Sequence, residues 1–164
     1  MESILEKFIH KKPRCLESFD IEDLPNEIEN DWLQGPEFLS KLVKCKCGGR
    51  VFNVYASSDE KMTLAPVYLE CPNCLTKDLI FDPTIHGWDG ENGDCASLVG
   101  NKEPKNIYES PRKVVIDYSY QGPDNYADLI DEGIENLEDY FDVFSINTLN
   151  ESGKLEEVVS YECA

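Results

Sequence analysis

The chain has 164 residues, 41% of them hydrophobic and 10% aromatic, which excludes a mainly disordered protein and leaves room for one core with a small metal-held module. The formal net charge of −18, from 33 acids against 15 bases, disfavours nucleic acid and anionic membrane surfaces and favours basic proteins or cations as partners. No apolar run approaches the roughly 20 residues of a membrane span, and "MESILEKFIHKKPRC" lacks the apolar segment and cleavage site of a secretory signal, so the expected compartment is the cytosol.

Residues 1–40 are expected to form a helical arm. "SILEKFIHKK" reads as one amphipathic helix with Ile4, Leu5, Phe8 and Ile9 on one side, ended by Pro13. The following "CLESFDIEDLPNEIENDWLQGPEFLSKL" mixes apolar residues with acids, is punctuated by Pro25, Gly35 and Pro36, and reads as short helical turns packed on the main body.

Residues 41–94 read as a zinc ribbon with a covering loop. "LVKCKCGGRVFNVYA" is a strand, a tight turn and a second strand, with Val51, Asn53 and Tyr55 on one face and Phe52, Val54 and Ala56 on the other. "PVYLEC" leads into Cys71 and "DLIFD" leaves Cys74, so both cysteine pairs are expected at hairpin tips.

Cys45-Lys-Cys47 and Cys71-Pro-Asn-Cys74, with 23 residues between Cys47 and Cys71, carry the main chemical signal. Tetrahedral zinc takes four thiolates at about 2.3 Å, and two short-spaced pairs on facing turns supply that geometry. Gly48 and Gly49 let the chain turn beside the sulfurs, and Pro72 stiffens the second turn. The competing readings are buried free thiols and a redox pair at 71–74; a redox pair of the thioredoxin type needs a βαβ setting, and the flanks here read as hairpins. Four protein ligands close the metal shell, so the expected Zn2+ is structural. Cys15, Cys95 and Cys163 lack pair spacing and read as core or surface thiols.

"CKCGGRVFNVY…LECPNC" resembles the zinc-ribbon class, and its first half is similar to the opening of glutathione-dependent formaldehyde-activating enzymes. The further cysteine-rich motif that those enzymes place around a second, catalytic zinc is lacking. The resemblance therefore implies Cys45, Cys47, Cys71 and Cys74 as ligands and does not imply the activity.

"IFDPTIHGWDGENGD", residues 80–94, gathers polar residues typical of a reactive loop. A hydrolase would use His86 as acid or base with Asp82 or Asp89 orienting it, but the only other histidine is His10. A calcium loop starting at Asp89 needs Gly sixth and Glu twelfth, where Asp94 and Gly100 stand. The loop is expected to end the ribbon's exit strand at Asp82-Pro83 and to fold Trp88 over the ribbon.

Residues 95–164 read as a strand-helix-hairpin part, compact with the ribbon. After a surface connection at 95–111, "RKVVIDYSY" alternates as a half-buried strand, with Val114, Ile116, Tyr118 and Tyr120 on one face and Val115, Asp117 and Ser119 on the other. "GPDNYADLIDEGIENLEDYF" predicts an amphipathic helix over 124–142, capped by Asp124 or Asn125, with Tyr126, Leu129, Ile130, Ile134, Leu137 and Phe141 as its stripe. Its other face is acidic: Asp124, Asp128, Asp131, Glu132, Glu135, Glu138, Asp139 and Asp142, with no Lys or Arg in the span. "DVFSINTL" and "KLEEVVSYECA" then make a hairpin around Gly153.

The expected class is α+β: four-cysteine zinc-ribbon hairpins joined to a small antiparallel sheet, packed by one amphipathic helix, with a helical N-terminal arm. The expected function is non-enzymatic docking of a basic protein, such as a toxin or nuclease domain, in the manner of the small acidic immunity proteins. Asp128, Asp131, Glu132, Glu135, Glu138, Asp139 and Trp88 are the partner-facing candidates. An enzyme using Asp82, His86 and Asp89 is one rival. A zinc-ribbon reader of nucleic acid is another, resting on the basic spot Lys41, Lys44, Lys46 and Arg50, which is narrow for phosphate binding.

Overall fold

A computed structural model describes residues 14–25, 28, 38–59, 62–82, 103–120, 127, 128, 130–133 and 141–162. Within them, a 3-10 turn at Arg14–Leu16 is followed by nine strands: β1 Phe19–Asp23, β2 Phe38–Cys45, β3 Asn53–Asp59, β4 Met62–Glu70, β5 Lys77–Phe81, β6 Lys105–Asn106, β7 Val114–Tyr120, β8 Phe141–Leu149 and β9 Leu155–Glu162. They form a five-stranded sheet in the order β1-β2-β7-β8-β9 and a four-stranded sheet in the order β5-β4-β3-β6. The pairings are antiparallel.

One core cluster joins the two sheets. Val43, Val114, Ile116, Tyr118, Phe144 and Ile146 come from the larger sheet, and Val54, Val67, Leu69 and Ile80 from the smaller. Aromatic contacts cross between them: Phe19 meets Phe52 edge-on at 5.3 Å, and Phe81 stacks on Phe144 at 5.3 Å. These pairs add to the burial that drives such sheets together. An isolated bridge between Phe52 and Arg112 ties the start of β3 to the entry of β7.

The α+β expectation is wrong, because the described residues are almost all sheet. Where the expected helical arm over 1–40 is described, at 14–25, 28 and 38–40, it holds a 3-10 turn, β1 and the start of β2 instead of a helix, and β1 pairs with β2 from Phe19↔Cys45 to Asp23↔Lys41. "FDIED" is a strand whose Phe19 enters the core while Asp20 and Glu22 face the other way, so these two acids mark the outer side of a sheet and not a helix surface. Residues 1–13, which carry the first expected helix, and 26, 27 and 29–37, which carry most of the expected short helical turns, lie outside the described residues.

The helix expected over 124–142 is also corrected at its described residues; 124–126, 129 and 134–140 lie outside them. Glu132 N–H donates to the Asp128 carbonyl at 3.0 Å, and Gly133 N–H donates to the Ile130 carbonyl at 3.0 Å. Gly133 then takes φ 84°, the left-handed conformation that closes a helical turn. Phe141 and Asp142, counted in the expected helix, belong to β8, with Phe141 opposite Tyr120. No amphipathic helix stands among the described residues, and none of their helices is long and apolar enough to cross a membrane.

β7 is buried on both faces, not half-buried: Val114 to Ser119 are all inaccessible. On the face away from the core, Asp117 accepts from Asn147 Nδ2 at 2.8 Å and from Ser40 Oγ, while Ser145 and Ser160 hydroxyls meet at 3.2 Å. The final hairpin matches expectation. Gly153 sits at φ 81°, and Asn150 Oδ1 accepts from the Ser152 and Lys154 backbone N–H groups at 3.0 Å each.

Candidate metal centre

Cys45 ends β2 and Cys71 follows β4, so the two cysteine pairs approach from different sheets. The first pair does not sit on a hairpin, because β2 pairs with β1 and β7 while β3 pairs with β4 and β6. It sits on the connection from one sheet to the other. There Cys45 N–H donates to the Gly49 carbonyl at 2.8 Å, and Gly48 N–H donates to the Cys45 carbonyl at 2.9 Å. Gly48 takes φ 100°, which a side chain rarely adopts.

The second pair does cap a hairpin. Glu70 faces Lys77 across β4 and β5, Cys71 N–H donates to the Thr76 carbonyl, and Leu75 N–H donates to the Cys71 carbonyl, each at 2.9 Å. Leu75 takes φ 63° and is 69% exposed. The hairpin thus holds a leucine in a glycine-like conformation.

All four sulfurs lie within 4.8 Å of one another. Cys45 Sγ is 3.5 Å from Cys74 Sγ, and Cys47 Sγ is 3.5 Å from Cys71 Sγ. A tetrahedron with metal–sulfur bonds of about 2.3 Å has edges of about 3.8 Å, inside that range. Disulfide bonding needs about 2.05 Å, so the arrangement fits a metal set and not two disulfides. Cys45 and Cys71 are buried, whereas Cys47 and Cys74 are exposed, so the centre has a dry side and a wet side.

Without metal the thiols are unequal. Burial pushes Cys45 up to about 12, while the Thr76 hydroxyl and N–H beside Cys74 pull that thiol down to about 6. Cys74 Sγ and Thr76 Oγ1 are 3.1 Å apart. Thr76 therefore supports the thiolate from outside the ligand set, a role that pair spacing does not reveal. Cys15 is buried in the core, away from the cluster.

The basic spot near the first pair is partly neutralised by β1. Arg50 Nε donates to Glu22 Oε1 at 2.8 Å, and Lys41 Nζ contacts Asp23 Oδ1 at 2.5 Å. Each cation holds its acid below the usual carboxylate range.

Of the other candidates, Asp82 is half-buried just after β5, and Asp128, Asp131 and Glu132 are exposed. His86, Trp88, Asp89, Glu135, Glu138 and Asp139 lie outside the described residues. No protein-family model matches the chain, and no curated protein or solved structure matches it. The class that fold and site define is an antiparallel two-sheet protein whose four clustered cysteines are close enough to hold a metal.

Proposed function

We propose that Cys45, Cys47, Cys71 and Cys74 hold one structural zinc ion, and that the stapled sheets act as a non-enzymatic binding protein for a basic partner. Four sulfurs in a tetrahedral set select zinc or iron, and a single mononuclear structural site favours zinc. With four protein ligands the metal has no open position for water, so it supplies stability and not chemistry. Apparent binding energy on the order of 10 kcal/mol would add to folding.

The docking half of the reading rests on one observation. Asp128, Asp131 and Glu132 are exposed around Ile130, which is itself 48% exposed. An exposed apolar residue with exposed carboxylates beside it in the chain suits a partner offering an apolar contact flanked by Lys or Arg, and such complementarity speeds association. A toxin or nuclease domain of basic charge, neutralised as immunity proteins neutralise theirs, is the proposed partner class. The pairing of Arg50 and Lys41 with β1 acids weighs against the nucleic-acid reading.

The test sets charge reversal of Asp128, Asp131 and Glu132 beside alanine at Asp82, His86 and Asp89, each variant being used to pull down basic proteins and titrated with a hexa-arginine peptide. Loss of binding from the acidic set alone, steeper at low salt, is the expected result. Loss from the 82–89 set alone, with folding intact, would replace docking by chemistry at that loop.

A further inference from the structure

The outer face of the four-stranded sheet brings two tyrosines, a carboxylate and a lysine together. Across β3, β4 and β5 the register aligns Tyr55 with Tyr68 and Leu79, and Asn53 with Glu70 and Lys77. Their neighbours Val54, Leu69 and Ile80 are buried in the core, so these six project from the opposite side of the pleat. Tyr55, Tyr68 and Glu70 are half-buried and Lys77 is exposed.

Lys77 Nζ lies 3.8 Å from the Tyr55 ring centroid and 5.7 Å from that of Tyr68. Tyr55 Oη and Asn53 Nδ2 both donate to Glu70 Oε1, at 3.3 and 3.4 Å. Burial, with the Glu70 charge adding to it, raises the Tyr55 phenol above its ordinary value, so Oη keeps the proton that it donates. Two ring faces beside a carboxylate attract a cation, and the cation now over them is a side chain tethered to the next strand.

We propose that this face is a docking site for the basic partner, with an arginine or lysine of that partner displacing Lys77 from Tyr55 and Tyr68. The inference rests on the reading that the partner is basic, and the net charge of −18 supplies the long-range attraction. Glu70 directly precedes Cys71, and Lys77 directly follows Thr76. The metal knuckle therefore closes the hairpin that carries Tyr68, Glu70 and Lys77, so stripping the metal should weaken docking here.

The experiment titrates a hexa-arginine peptide into the zinc-loaded full chain at about 0.15 M salt. Tyr55→Leu with Tyr68→Leu leaves the net charge unchanged and is expected to weaken binding about 5- to 30-fold. Lys77→Met is expected to tighten binding about 2- to 5-fold more than Lys154→Met, which removes the same charge from the exposed β8–β9 turn. If the tyrosine pair fails to fold, Tyr68→Leu alone and the two lysine variants decide.

Wild-type affinity in the folded tyrosine variant, or equal effects of the two lysine variants, would overturn the site. If Asp128→Asn, Asp131→Asn and Glu132→Gln together then lower affinity, the basic-partner reading stands and this face does not. Absence of binding by every form overturns both.

Discussion

A methyl group on Gly49 would lie 3.1 Å from Cys71 Sγ and 3.1 Å from Asn73 Nδ2. The turn carrying Cys45 and Cys47 thus presses its backbone against a sulfur delivered by the other sheet. Gly49→Ala must displace that sulfur or the turn, and metal affinity should fall about ten-fold or more. Gly48→Ala meets no neighbour within 4 Å, so it should cost only backbone strain of about 1–2 kcal/mol. Chelator competition for the metal, run beside thermal melts, separates the two effects.

Leu75 offers the converse change. Its φ of 63° is strained for a side chain, and at 69% exposure it buries little. Leu75→Gly should stabilise the chain by up to about 1 kcal/mol, the relieved strain exceeding the extra unfolded-state freedom of glycine. Leu75→Val, β-branched in the same conformation, should lower the melting temperature. A fall with glycine would show that Leu75 makes a contact worth more than its strain.

Asp117 sits fully buried with Asn147 Nδ2 2.8 Å away. Asn147→Ala removes a donor from a buried carboxyl group and should destabilise by about 1.5–3 kcal/mol in urea unfolding. Asp117→Ala should cost at least as much, because it leaves the Asn147 amide without its acceptor. Neither change should alter metal content, since neither residue touches the sulfur cluster.

Two cysteine substitutions test the ligand set against the core. Cys47 is exposed and within the cluster, while Cys15 is buried outside it. Cys47→Ser should lower metal affinity strongly and loosen the link between sheets, whereas Cys15→Ala should keep one metal per chain and lose some packing stability. Metal analysis after extensive dialysis distinguishes them.

The legible parts of the molecule are those whose signal is local. Short-spaced cysteines with Gly48, Gly49 and Pro72 mark the centre, and Asn150 with Gly153 marks the last turn, because each feature acts over a few residues. The expected helix over 124–142 fails because its stripe spans two structures: Phe141 follows the spacing of Ile130 yet pairs with Tyr120 in a strand. Gly133, the residue that closes the turn, leaves the apolar spacing around it intact and so gives no warning.

Asp117 and Ser119 mislead in another way. Polar residues alternating with apolar ones signal a solvent face, but here the polar face of β7 is buried and bonded across strands through Asp117, which is a tertiary property. The Tyr55, Tyr68, Glu70 and Lys77 face is hidden for the same reason, since only the register of β3, β4 and β5 brings it together.

One zinc ion, bound by four thiolates from two sheets, is proposed to staple this fold. X-ray absorption at the zinc edge on freshly purified, reduced protein tests it most directly. About one zinc per chain with four sulfur neighbours at about 2.3 Å is the expected result. Nitrogen or oxygen in the first shell, or less than about half an equivalent of zinc, would contradict it.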